Sequence, residues 1–170
     1  MKYDLPLRKH PRLKGYDYNN GAYFITLCIK NGHEILGQIV GRGIPDAPYA
    51  IELTEYGKNL CNVIIFINKK FNNITINKYV IMPNHVHMIV FVEKNGNIDM
   101  KNTGAFRKPR PTNAMIPKLI SSIKRYTNKS AGFKMWQNNY NDRIIRNENE
   151  YQNIWNYIEN NPEKLIENKL

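Results

Sequence analysis

The stretch that most limits how this chain can fold runs from Ile74 to Val92. There two β-forming runs, Ile74 to Met82 and Val86 to Val92, flank the pair Pro83-Asn84. Proline followed by asparagine forms turns, and so short a link joins strands only if they lie antiparallel and adjacent. An antiparallel hairpin is therefore expected, and with it an antiparallel sheet.

The other segments fit around that hairpin. Tyr23 to Ile29 is a run of β-formers between Asn19-Asn20-Gly21 and Asn31-Gly32, which predicts a strand. Ile35 to Val40 and Tyr49 to Leu53 read as a short hairpin joined through Gly41 to Pro45. Thr54 can cap a helix whose Tyr56, Leu60, Val63, Ile64 and Ile67 make one buried face, ending before Asn72-Asn73. A second helix is predicted from Met115 to Thr127, with Ile116, Leu119, Ile120 and Ile123 at helical spacing. Met135 to Ile145 has no clear period. A last helix from Asn149 to Asn160 should stop at Pro162. The order strand, hairpin, helix, strand, strand, helix predicts an α+β fold: an antiparallel sheet with helices packed on one face, of ferredoxin-like or RRM-like architecture.

At 170 residues the chain is expected to be a single domain, 1–170. Residues 1–20 read as a basic, turn-rich arm, and 93–113, rich in Gly, Lys, Asn and Pro, as a mobile basic loop. The 25 Lys and Arg against 14 Asp and Glu give a formal charge of +11, which points to a polyanionic partner. With 42% hydrophobic and 11% aromatic residues, a wholly disordered basic tail is excluded. Cys28 and Cys61 lie far apart without a CxxC pair, so neither a disulfide framework nor a cysteine zinc site is expected. The opening residues lack the apolar core of a signal peptide, and no run reaches the ~18 apolar residues of a membrane span. A cytoplasmic, nucleoid-associated protein is the corresponding expectation.

Chemistry concentrates in two places. In Met82-Pro-Asn-His-Val-His-Met-Ile-Val90, strand alternation puts His85 and His87 on one face, while Val86, Met88 and Val90 take the other. Two imidazoles on one rigid strand make half a metal site, or simply a pair of partly solvated sheet histidines. In the last helix Tyr151, Ile154, Trp155 and Ile158 form the apolar stripe, and Tyr157 falls roughly 110° from its centre at about 100° per residue. Asn161 follows by four on the same face. A phenol and an amide thus project together, or Tyr157 is merely a half-buried edge residue.

These motifs resemble those of a known family. His85-Val86-His87 after Met82-Pro-Asn is similar to the HUH motif, His-hydrophobic-His, of single-tyrosine transposases. Met135 to Arg146, Glu150-Tyr151 and Trp155 to Pro162 resemble the REP-associated tyrosine transposase branch, as do Arg12 to Tyr18 and Gly21 to Leu27. The resemblance covers most of the chain and implies the HUH endonuclease fold. It implies His85, His87 and Asn161 as metal ligands, Tyr157 as nucleophile, and Mg²⁺ or Mn²⁺ as the ion. It further implies single-stranded or hairpin DNA as partner, a homodimer among the available assemblies, and no membrane. Where related sequences often carry His after Asp142, this chain has Arg143, which reads as a phosphate contact. Tyr126, Tyr140 and Tyr151 are rival tyrosines: Tyr151 belongs to the stripe, and the others lack the Asn and Pro that follow Tyr157.

The implied chemistry is cleavage of single-stranded DNA by attack of the tyrosine oxygen on phosphorus, leaving a 5′-phosphotyrosine and a free 3′-hydroxyl. Strand transfer is the reverse step on a new end. Basic residues that could hold the DNA fall in three groups: Arg8, Lys9, Arg12 and Lys14 of the arm; Lys124, Arg125 and Lys129; and Arg143 with Arg146. Tyr16, Tyr18, Phe133 and Trp136 could stack unpaired bases. The alternatives are a nucleic-acid-binding module without chemistry, such as an inactivated, domesticated transposase, and a metal-dependent hydrolase that uses water.

Overall fold

The computed structural model describes residues 20–40, 50–93 and 115–167. The arm with Arg8, Lys9, Arg12, Lys14, Tyr16 and Tyr18, the turn at 41–45, and all but Glu93 of the 93–113 loop lie outside the described residues. Strands β1 (Gly21–Cys28), β4 (Ile74–Met82), β5 (His85–Val92) and β6 (Asn141–Ile145) form one antiparallel sheet in the order β4-β5-β1-β6. Strands β2 (Gly37–Val40) and β3 (Ala50–Leu53) pair separately, as the short hairpin expected. The helices are α1 (Glu55–Lys70), α2 (Met115–Ala131) and α3 (Glu148–Glu167). The fold is α+β on an antiparallel sheet.

The β4–β5 hairpin turns at Pro83-Asn84, with Met82 opposite His85. Its tip is pinned from outside: the Leu36 N–H donates to the Pro83 carbonyl at 2.9 Å and the Ile29 N–H to the Asn84 carbonyl at 2.8 Å. Both carbonyls that the turn leaves free of the ladder are therefore satisfied. The start of β5 is held against the end of β1, where Cys28 pairs His85 and Thr26 pairs His87.

Alternation divides the sheet into two apolar faces. Tyr23, Ile25 and Leu27 of β1 and Val86, Met88 and Val90 of β5 meet Leu60, Ile64 and Ile67 of α1 and Ile116, Leu119, Ile120 and Ile123 of α2. Fully burying each such aliphatic side chain is worth about 1.5–3 kcal/mol before chain entropy is counted. On the opposite face Ala22, Ile89 and Ile145 pack with Ile154 and Ile158 of α3. The placement of helices on one face holds for α1 and α2, while α3 covers the other. The remaining apolar strand positions, Phe24, Ile89 and Phe91, required such a cover.

A bulge in β4 serves both layers. The register shifts between Ile76 and Lys78, leaving Asn77 as the extra residue, and the Asn77 carboxamide oxygen accepts the Tyr151 hydroxyl at 2.9 Å. Ile74 and Ile76 before the shift, and Tyr79 and Ile81 after it, all join the α1/α2 core. Val80 packs on the α3 side, where the Lys78 ammonium lies 4.4 Å from the Trp155 ring centroid.

Three local expectations are revised. Thr54 does cap α1, accepting from the Gly57 N–H at 3.3 Å, but Tyr56 is 36% exposed and Gly57 takes the buried position. Only a residue without a β-carbon fits there, because one would collide with the Leu36 carbonyl oxygen. Helix α2 runs past Thr127 to Ala131 and ends at Gly132, whose φ of +79° suits glycine and whose N–H donates to Asn128. Helix α3 passes through Pro162 instead of stopping there. A proline forfeits one hydrogen bond to the preceding turn, and the helix formers Glu163, Lys164 and Leu165 carry the helix onward. In the aperiodic 135–145 stretch, Trp136 bridges to Ile29 and the chain then enters β6.

Candidate metal and tyrosine site

The site begins where β5 leaves the turn. His85 and His87 both face α3, since Val86 and Met88 are committed to the opposite core. Their Nε2 atoms approach to 3.0 Å and their rings to 4.5 Å. Each Nδ1 is held from behind: that of His85 by the Asn84 carboxamide oxygen at 2.6 Å, that of His87 by the Thr26 hydroxyl at 2.8 Å. Phe24, two residues before Thr26, stacks on His87 with centroids 5.2 Å apart. His87 is only 4% exposed and His85 is half-buried. Burial disfavours the charged imidazole. Desolvation pushes His85 down to about 4; desolvation, with the neighbouring His85 adding to it, pushes His87 down to about 3. Both rings are neutral at pH 7 and their nitrogen lone pairs are available as ligands.

Helix α3 brings the phenol. Ile154 and Ile158 anchor it on the sheet, with Tyr151 and Trp155 on one flank and Tyr157 on the other. The Tyr157 hydroxyl lies 3.3 Å from His87 Nε2, and its ring meets Phe24 edge-on at 5.9 Å. The rival tyrosines are elsewhere: Tyr151 bonds Asn77, Tyr126 bonds the Lys70 ammonium on the α1/α2 side, and Tyr140 packs against the α1/α2 core. Among the described residues Tyr157 is the tyrosine at the histidine pair. Asn161 is one turn further along the same face and partly buried.

The donor set fits a divalent ion. Two nitrogens each about 2.1 Å from one ion at right angles stand about 3.0 Å apart, the spacing of the two Nε2 atoms. Among the described residues no cluster of three or more His, Cys, Asp or Glu side chains could hold a metal, so a third donor drawn from those residues would be of another type. The amide oxygen of Asn161 is of that type.

The basic residues separate. The Lys124 ammonium donates to the carbonyls of Gln137, Asn138 and Asn139 at 2.6, 3.1 and 3.2 Å. Its three hydrogens are thereby used in holding the segment that leads into β6, which takes it out of the set suited to phosphate. Arg125 lies 5.0 Å from the centroid of Tyr126, and Lys129 is exposed in the last turn of α2, both on the α1/α2 side. Arg143 faces the α3 side and pairs with Glu150 at 3.5 Å, while the backbone N–H of Arg146 donates to the same carboxylate. Trp136 is 4% exposed, with its indole N–H donating to Thr127 at 2.7 Å, so it is a core residue and not a base-stacking platform. Phe133 is exposed and packs edge-on against Tyr56.

Sequence reasoning missed Thr26, Asn84 and Phe24. Asn84 stood beside His85 in plain view, read only as a turn former. Thr26 and Phe24 could be found only from the register of β1 on β5.

No family model matches the chain. An uncharacterized protein of Haemophilus influenzae is 31% identical over 165 residues, covering 91% of this chain and 88% of its own length. A solved structure of a REP-associated tyrosine transposase bound to a REP hairpin superposes with a TM-score of 0.62 at 19% identity, over 91% of this chain and 74% of that one. The fold is therefore shared with that transposase. No described helix is long and apolar enough to cross a membrane.

Proposed function

The chain belongs to one family with the Haemophilus influenzae protein, and we propose that it is a metal-dependent transposase that cleaves and rejoins single-stranded DNA beside a hairpin. The observation that carries this reading is the Tyr157 hydroxyl 3.3 Å from His87 Nε2, itself 3.0 Å from His85 Nε2. The hairpin preference draws on the hairpin-bound neighbour that shares the fold.

Mg²⁺ or Mn²⁺ held by His85 and His87, with Asn161 as a third donor, would polarise a nonbridging oxygen of the scissile phosphate. The Tyr157 oxygen attacks phosphorus, its bond to phosphorus forms as the bond to the 3′ oxygen breaks, and the phenolic proton ends on the departing 3′-hydroxyl. The 5′ end stays on Tyr157 as a phosphodiester. Attack by another 3′-hydroxyl reverses the step and releases Tyr157, so joining requires no outside energy. Phe24 restrains both the imidazole and the phenol, since its ring touches each. Arg143, Arg146, Arg125, Lys129 and the arm residues Arg8, Lys9, Arg12, Lys14 and Tyr16 supply candidate contacts to the strand.

The test is incubation with Mn²⁺ and end-labelled single-stranded hairpin DNA, followed by denaturing gels. A 5′-linked protein–DNA adduct that disappears in Tyr157→Phe and survives in Tyr151→Phe supports the proposal. Cleavage that persists in Tyr157→Phe without adduct points to a hydrolase using water; DNA binding without cleavage points to a binding module.

A further inference from the structure

The two histidines are held by partners of different chemistry. A carboxamide oxygen only accepts, so its 2.6 Å contact requires a proton on His85 Nδ1 and leaves the Nε2 lone pair aimed at His87. Two lone pairs cannot face each other at 3.0 Å without repulsion unless a cation lies between them, so with no ion bound His87 must carry its proton on Nε2. Its Nδ1 is then the acceptor, and the Thr26 hydroxyl donates to it at 2.8 Å. The Tyr157 oxygen, 3.3 Å from that same Nε2, is a second acceptor for the shared proton.

We propose that Asn84 and Thr26 are positioning residues with distinct tasks: Asn84 fixes His85 permanently as the Nδ1–H tautomer, whereas Thr26 lets His87 exchange tautomers when a divalent ion takes its Nε2. A hydroxyl can do this because it both donates and accepts. Once His87 Nε2 gives up its proton, Nδ1 takes one, and the hydroxyl rotates from donor to acceptor with no backbone motion. The proton balance is closed by solvent, since one leaves Nε2 and one arrives at Nδ1. Outer partners of metal-bound histidines typically govern affinity by 10–100-fold. The second half of the proposal rests on the metal reading above; the first half concerns the metal-free protein alone.

Long-range ¹⁵N–¹H correlation spectra of the imidazoles at pH 7 read the tautomers directly, with Zn²⁺ as a diamagnetic ion suited to imidazole. Metal-free protein should give His85 as Nδ1–H and His87 as Nε2–H, and Zn²⁺ should convert His87 alone. In Asn84→Ala, His85 should shift toward the Nε2–H form and Zn²⁺ affinity by calorimetry should fall about tenfold or more. Asn84→Asp, which keeps an acceptor, should restore the tautomer. Among the described non-glycine residues only Asn31 has positive φ, so alanine at 84 meets no backbone strain. Thr26→Val should weaken Zn²⁺ binding similarly and Thr26→Ser should recover it. His85 found as Nε2–H, or His87 already as Nδ1–H before Zn²⁺, overturns the assignment even if Zn²⁺ binds. The stated metal-free tautomers with no response to Zn²⁺ overturn the exchange at His87 through failure of the metal reading, which is a distinguishable result.

Discussion

The Tyr157 hydroxyl and His87 Nε2 stand 3.3 Å apart although 70 residues separate them, joined by a helix laid across the face of the sheet. Removing that hydroxyl should abolish the covalent adduct while changing stability by no more than about 1 kcal/mol, the net worth of one hydrogen bond. Tyr157→Phe should therefore melt close to wild type in thermal scans. A large loss of stability would make Tyr157 a structural residue first.

Phe24 touches both His87 and Tyr157 without any chemistry of its own. Phe24→Ala should cost about 2 kcal/mol in urea unfolding, less than the about 3–5 kcal/mol of a fully buried phenylalanine because its ring is only partly buried. Cleavage should fall more steeply than stability, and Phe24→Leu should recover stability better than cleavage.

Gly57 lies where a β-carbon would strike the Leu36 carbonyl. Backbone cannot retreat as a flexible side chain can, so Gly57→Ala should destabilise by more than about 2 kcal/mol despite alanine's better helix propensity. Urea midpoints of Gly57→Ala and wild type decide it; equal midpoints would mean that α1 shifts freely.

The buried histidines make the chelated protein acid-sensitive. Both have folded pKa values depressed below the ordinary value of about 6.5, His85 to about 4 and His87 to about 3. Above pH 6.5 neither state binds the protons and their stability contribution is fully present. As pH falls below that, the unfolded chain binds protons the folded chain refuses, so stability drops progressively until the folded values are reached. Melting in EDTA from pH 7.5 to 4.5 should show a decline that His85→Gln/His87→Gln reduces.

Lys124 and the N-terminal arm should separate cleanly. Lys124→Met should lower the melting temperature by loosening 137–139, yet leave the salt dependence of DNA binding intact, because its ammonium is spent on carbonyls. Neutralising Arg8, Lys9, Arg12 and Lys14 together should weaken binding and flatten its slope against log salt. Fluorescence anisotropy over a salt series tests both, and an unchanged slope in the arm variant would reduce the arm to solvated surface.

The strands and helices were legible because their signals are local: the Pro83-Asn84 turn, the Thr54 cap and the period-two runs each act over a few residues. The shared face of His85 and His87 followed from alternation and the offset of Tyr157 from the helix stripe from helical geometry, whereas the choice of Tyr157 among the tyrosines came from the family resemblance. What could not be read was set by distant partners. Tyr56 yielded to Gly57 because of a carbonyl on another segment, and β6 had no period of its own because its edge position beside β1 depends on the assembled sheet. Lys124 looked like a phosphate ligand until the path of 137–139 brought three carbonyls to it.

The bulge at Asn77 means that β4 carries two alternation phases in nine residues. Before it, even-numbered positions accept only apolar side chains; after it, odd-numbered ones do, and Lys78 stays free to meet Trp155 and Glu159. Deleting Asn77 would remove the bulge and run a single alternation through the strand, keeping Lys78 outward and Ile81 inward but losing the carboxamide that accepts the Tyr151 hydroxyl. Relatives aligned through this strand without regard to the half-step would have every inward residue beyond Asn77 assigned to the wrong side.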